Sequence, residues 1–128
     1  MSGILFLCIH NAGRSQMAAG FAREMSNGEV TILSGGSEPA DQVNPVAVEV
    51  MKEVGIDIAG YTPQKYNDDL LHAVDVVVTM GCGDTCPYIP GKKYIDWPLD
   101  DPKGRPLEEV RVIRDQIRDN VAQLLAQL

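Results

Sequence analysis

The chain opens on an unbroken apolar run, Gly3 to Cys8, the pattern of a strand covered on both faces. Behind it Met17, Ala18, Phe21, Ala22 and Met25 recur at three- and four-residue spacing. They predict a helix whose core side includes both Met17 and Met25. Asn27-Gly28 stops that helix, and Val30 to Leu33 reads as a second strand ended by Ser34-Gly35-Gly36. Asn44-Pro45 supplies a cap and a proline at the first helical position. The helix it starts runs to Val54, where Gly55 closes it. Asn67 to Ala73 predicts a short helix, Val74 to Met80 a third strand rich in β-branched residues, and Lys93 to Asp96 a short fourth strand. The last segment, Leu107 to Leu128, sets Val110, Ile113, Ile117, Val121, Leu124 and Leu128 on one face of a long amphipathic helix.

Strands alternating with helices predict an α/β fold: a single domain over residues 1–128, with a four-stranded parallel sheet and helices on both faces. No repeat, low-complexity tract or linker interrupts the pattern. Ligands in such sheets bind beyond the carboxyl ends of the strands. Cys8 ends the first strand, and Cys82 follows the third closely.

Charge narrows the partners. Eleven Lys+Arg against 18 Asp+Glu give a formal net charge of −7, which argues against nucleic acid or an anionic membrane as a main partner. No apolar run approaches the ~18 residues that span a bilayer. The opening Met-Ser-Gly leads straight into the first strand, without a basic segment or a cleavage site, so a cytoplasmic protein is expected. Three cysteines in such a protein leave catalytic, metal-binding and simply buried roles open.

The segment Cys8-Ile9-His10-Asn11-Ala12-Gly13-Arg14-Ser15 joins the first strand to the first helix. A turn here can aim several backbone N–H groups at one centre, at the positive end of the helix dipole, and such a nest binds a tetrahedral oxyanion. Arg14 adds a planar, permanently charged fork for two oxygens. The same field favours the thiolate of Cys8, the nucleophilic form of the thiol. Ser15 can donate a hydrogen bond to that sulfur, Asn11 can brace the turn, and His10 can touch the anion or shape the mouth. The bland alternative is a small buried cysteine beside a helix-surface arginine.

This loop, its continuation SQMAAGF, and the segments DQVNPVAVEVMKEVGIDI, VDVVVTMGCGDTCP and WPLDDP resemble the low-molecular-weight protein tyrosine phosphatase superfamily. Within it the chain is similar to the arsenate reductases built on that fold. The resemblance implies Cys8 as nucleophile, Arg14 as oxyanion clamp and Asp101, directly before Pro102, as general acid. It aligns Cys82 and Cys86 with the second and third redox cysteines. It further implies arsenate as substrate, with phosphate or sulfate as mimics, and a protein with no bound cofactor that draws on an external thiol reductant.

Departures from the phosphatase pattern favour a reductase. Phosphatases of this group carry a second cysteine where Gly13 stands, and tyrosines where Lys103-Gly104 follow Asp101-Pro102. Some thioredoxin-linked reductases use a glutamate to help hold potassium; Ala19 stands at that position, so no metal site is expected. Cys82 and Cys86 are closer together than the redox pair of those reductases. The segment GCGDTCPYIPGKKY is more similar to a second branch, in which mycothiol takes the arseno group and a mycoredoxin completes the reduction. The mycothiol route is therefore preferred to an internal relay reduced by thioredoxin. An aryl phosphatase, and a non-catalytic oxyanion or arsenite binder with thiolates as soft ligands, remain as alternatives.

Overall fold

Strand β1 (Gly3–Cys8) is buried along its whole length, and it lies inside a sheet ordered β2 (Thr31–Gly36), β1, β3 (Val76–Thr79), β4 (Lys93–Asp96). The computed structural model describes residues 3–80 and 91–128; Cys82 and Cys86, with the roles expected of them, lie outside the described residues. The elements are β1, α1 (Arg14–Ser26), β2 (Thr31–Gly36), α2 (Pro45–Lys52), α3 (Asp68–His72), β3 (Val76–Thr79), β4 (Lys93–Asp96) and α4 (Leu107–Ala126). All three strand pairings are parallel, with Cys8 opposite Gly36 and Leu7 opposite Thr79.

The alternation of β1 sorts the core into two layers. Ile4, Phe6 and Cys8 face α1, α2 and α4, in a cluster with Met17, Ala47, Val50, Val78, Val110 and Ile117. Leu5 and Leu7 face the other way, against Leu71 of α3, Val74 and Val77. Helices therefore cover both faces of a parallel sheet, as the unbroken apolar run of β1 requires. Trp97 packs its ring on Phe6, with centroids 5.9 Å apart.

Several expectations shift at their edges. Strand β2 runs from Thr31 through Gly35 and Gly36, which pair with Leu7 and Cys8 of β1, and at Gly36 the close Ile9 carbonyl leaves room only for glycine. Strand β3 contracts to Val76–Thr79. Met25 is 38% exposed, because it sits about 80° around the helix from Met17 and near the helix end. Leu128 is 49% exposed, because α4 stops at Ala126 and its last residue shares no helical face. Helix α2 ends at Lys52, short of the expected Val54, and the turn after it closes at Gly55, whose φ is 82°, with Ile56 N donating to Met51 O and Gly55 N to Lys52 O.

An ion cluster ties α2 to α4. Arg111 Nη2 donates to Glu53 Oε2 at 2.7 Å, and Arg114 Nη1 donates both to Glu53 Oε1 at 2.8 Å and to the Val50 carbonyl at 3.0 Å. The hydrogen bond from Arg111, opposed by partial desolvation and aided by Arg114, holds the Glu53 carboxyl below its ordinary range. A lowered carboxylate contributes stability that is complete above the unfolded value and is lost as pH falls through the folded one. Glu53→Gln is therefore expected to lower the thermal midpoint by a few degrees at neutral pH and by less at about pH 3. Thermal scans across pH check this, and an equal drop at both ends would remove the charge from the account.

Candidate active site

The loop between β1 and α1 turns its carbonyls outward. Glu38 N donates to Ile9 O at 2.8 Å, Ala40 N to His10 O at 3.0 Å, Asn44 N to Ala12 O at 2.8 Å and Met17 N to Gly13 O at 2.9 Å. Gln16 Nε2 takes the remaining carbonyl, that of Asn11, at 3.1 Å. In a trans peptide the N–H points opposite to the C=O, so this outward anchoring leaves the loop amides aimed inward. Helix α1 adds its positive end, since its N-cap Gly13 makes no side-chain capping bond. Two backbone constraints permit the turn. Asn11 takes a left-handed φ of 49°, which asparagine tolerates better than most residues. A Cβ at Gly36 would lie 2.5 Å from the Ile9 carbonyl oxygen.

Behind the loop a buried polar chain leads to the Cys8 sulfur. The Asn11 side-chain oxygen accepts from Gln64 N at 3.0 Å and from Gln16 Nε2 at 3.2 Å, which fixes the orientation of its amide. Asn11 Nδ2 then donates to Ser15 Oγ at 2.7 Å, and Ser15 Oγ lies 2.9 Å from Cys8 Sγ. With its oxygen already accepting, the Ser15 hydroxyl is free to turn its proton toward sulfur. Cys8 is 2% exposed, and Asn11 and Ser15 are fully buried, so the chain operates away from water, where such bonds are strongest.

In front of the loop, the Arg14 guanidinium is held from the segment after β4. Its Nη1 donates to the Leu99 carbonyl at 3.1 Å, and its Nη2 lies 3.8 Å from Asp101 Oδ2. The Asp101 segment is itself a tight turn: Lys103 N donates to Asp101 Oδ1 at 3.0 Å, and Arg105 Nε to the Asp101 carbonyl at 2.8 Å. Arg14 is buried, whereas the Asp101 side chain is 47% exposed and faces the opening. Between them lies a cavity of about 310 Å³, lined among others by Cys8, His10, Gly13, Arg14, Gln42, Asn44, Asp101 and Lys103.

Of the residues expected from sequence, Cys8, His10, Ala12, Gly13, Arg14 and Asp101 line one cavity, whereas Ile9, Asn11 and Ser15 stand behind it. His10 Nδ1 donates to the Glu38 carbonyl at 3.0 Å, which fixes its ring at the rim. Sequence reading missed the 38–44 strap, Gln16 and Gln64. The strap acts through backbone amides that leave no mark on side-chain type. The only available signals were Gly36 and the Asn44-Pro45 cap.

Residues 3–128 match the family described as low molecular weight phosphotyrosine protein phosphatase. The chain belongs to that family. Within it, the chain is 44% identical over 119 residues to an arsenate reductase 2 of Staphylococcus epidermidis, covering 90% of this chain and 89% of that one. It is 37% identical over 131 residues to a glutaredoxin arsenate reductase of Synechocystis, covering 100% of this chain and 99% of that one. A solved thioredoxin-dependent arsenate reductase from Corynebacterium glutamicum superposes with a TM-score of 0.87 at 37% identity. That match covers 99% of this chain and 61% of the longer one.

The family loop has a direct test. Ser15→Ala removes the proton turned toward Cys8 and leaves every outward carbonyl anchor in place. A hydrogen bond to a charged partner contributes about 1.5–3 kcal/mol, so turnover is expected to fall ~10- to 100-fold. Phosphate affinity, read by calorimetry, should move much less.

Proposed function

We propose that the protein reduces arsenate to arsenite, with Cys8 as nucleophile. The observation that carries this reading is the joining of the Cys8 sulfur, the inward amides and the Arg14 fork in one cavity. The oxygens of a tetrahedral oxyanion sit on the amides and Arg14, while the Cys8 thiolate attacks arsenic. Asp101 protonates the departing oxygen, which leaves as water, and a Cys8 S–As(V) bond remains. A second thiol then attacks the sulfur that carries arsenic. The S–As bond breaks, its electron pair goes to arsenic, and arsenite leaves as a disulfide forms. An external reductant restores the thiols, in keeping with a reducing compartment such as the cytoplasm.

The phosphatase alternative uses the same three residues and no redox step. Among the described residues, no Phe, Tyr or Trp lines the cavity. Lys103 and Gly104 occupy the rim instead. This composition favours a small free oxyanion over a phosphotyrosine side chain.

From the close spacing of Cys82 and Cys86 we infer an external route of the mycothiol type: a mycothiol thiolate attacks arsenic and takes the arseno group, the Cys8 thiolate leaves, and a mycoredoxin thiol attacks the mycothiol sulfur to release arsenite and form the disulfide. The competing route is an internal relay through these two cysteines to thioredoxin. The names of the Corynebacterium and Synechocystis proteins favour a thioredoxin- or glutaredoxin-type reductant for those relatives. Cys8→Ser is expected to abolish arsenate-dependent thiol consumption, a loss on the order of 10⁴-fold or more, while phosphate still binds. Cys82→Ser and Cys86→Ser are expected to retain full activity with mycothiol and mycoredoxin. Loss of that activity in either, with thioredoxin supporting the wild type, would establish the internal relay. Steady hydrolysis of an aryl phosphate without arsenate-dependent thiol consumption would establish the phosphatase. Binding without turnover under every reductant would leave only an oxyanion carrier.

A further inference from the structure

Gly13 meets the acid segment at a distance that leaves no room for a side chain. A Cβ at position 13 would lie 2.8 Å from Pro102 Cγ and 3.5 Å from Pro102 Cδ. Real Cβ atoms do not approach so closely, and the obstructing atoms belong to a ring that cannot swing aside. The backbone of Gly13, with φ −123° and ψ −87°, lies outside the helical and extended regions, so the backbone and the contact both restrict this position. Pro102 is buried, although Asp101 before it and Lys103 after it are exposed.

The contact belongs to a zipper between two short segments. Arg14, next to Gly13, holds the Leu99 carbonyl at 3.1 Å and faces Asp101 at 3.8 Å, while Pro102 seats on Gly13 itself. Lys103 N and Arg105 lock the turn around Asp101 internally. The turn therefore moves as a unit, and its distance from the loop is set where it touches the loop.

We propose that Gly13 is a positioning residue: the absence of a side chain at this position lets Pro102 seat flush on the nucleophile loop and so sets where the Asp101 carboxyl stands over the cavity. Its backbone role in the loop is separate. A methyl group at position 13 displaces the 99–102 segment by the missing few tenths of an ångström or more, carrying Asp101 away and loosening Arg14 from Leu99. This rests on the reading of Asp101 as the acid, and the test separates the two.

The experiment is a cycle on arsenate-dependent thiol consumption by the full chain. Gly13→Ala is expected to lower kcat by ~10- to 100-fold, since misplacement of a reacting group by about 1 Å can cost 10²-fold, with phosphate affinity changed by less than about 3-fold. Pro102→Ala removes the Cγ and Cδ atoms that the new methyl meets. In that background Gly13→Ala should cost at least about 3-fold less than it does alone, because the two sites are coupled through one contact while the backbone share of the cost remains. An equal loss in both backgrounds would overturn the proposal, as would undiminished kcat in Gly13→Ala alone. Asp101→Asn addresses the other reading: undiminished turnover there removes Asp101 as the acid, whatever the Gly13 cycle shows. A crystal structure of Gly13→Ala gives a readout independent of turnover. Displacement of residues 99–102 with the Arg14–Leu99 bond broken or lengthened supports the proposal, and an unmoved segment overturns it.

Discussion

The site depends on one constraint: the carbonyls of residues 9–13 must find partners outside the loop. An anion nest needs amides turned to a common centre, and each amide turned inward sends a carbonyl outward toward protein. A buried carbonyl without a donor costs about as much as the hydrogen bond it lacks. The 38–44 strap meets this need with three backbone amides, and the first turn of α1 meets it with Gln16 and Met17. The left-handed Asn11 and the side-chain-free Gly36 follow from the same demand, since both let the strap and loop approach closely.

The topology explains why this loop rather than another carries the site. Strand β1 lies between β2 and β3, so the chain leaves it toward one neighbour while the next crossover returns on the other side. A crevice opens at that switch point, beyond the carboxyl ends of the strands. Burial anchors it firmly. Ile4, Leu5, Phe6 and Leu7 are all fully buried, each contributing about 1.5–3 kcal/mol relative to exposure. The loop is thus suspended from the most firmly held strand of the sheet.

Electrostatics at the cavity run against the charge of the molecule. A chain with net charge −7 presents inward amides, a helix N-terminus and the Arg14 guanidinium to the cavity. Low local dielectric makes these near charges dominate over distant surface carboxylates, which are screened by water and salt. The same balance explains the seating of the acid segment. Arg14 donates to the Leu99 carbonyl and lies 3.8 Å from the Asp101 carboxylate, so the cation that lines the cavity also helps hold the segment above it.

Much of the fold was legible in the sequence because apolar periodicity is a local record of burial. The run Gly3–Cys8, the β-branched Val76–Thr79 and the stripe of Val110, Ile113, Ile117, Val121 and Leu124 all report the faces they bury. Cys8 and Arg14 were legible as chemical types at telling places in the pattern, whereas Asp101 was singled out only by the family resemblance. The exposure of Met25 and Leu128 was not legible, because residue spacing does not show where a helix ends or where its buried face gives out. The strap of 38–44 was invisible because its amides act alike whatever side chain they carry. The sequence by itself determined the alternation of elements, the thiol at the end of a buried strand and the cation that follows it. Only the tertiary structure decided which carbonyls turn outward, which amide orients Ser15, and how closely Pro102 seats on Gly13. Those are contacts between residues distant in the chain, and no local pattern encodes their geometry.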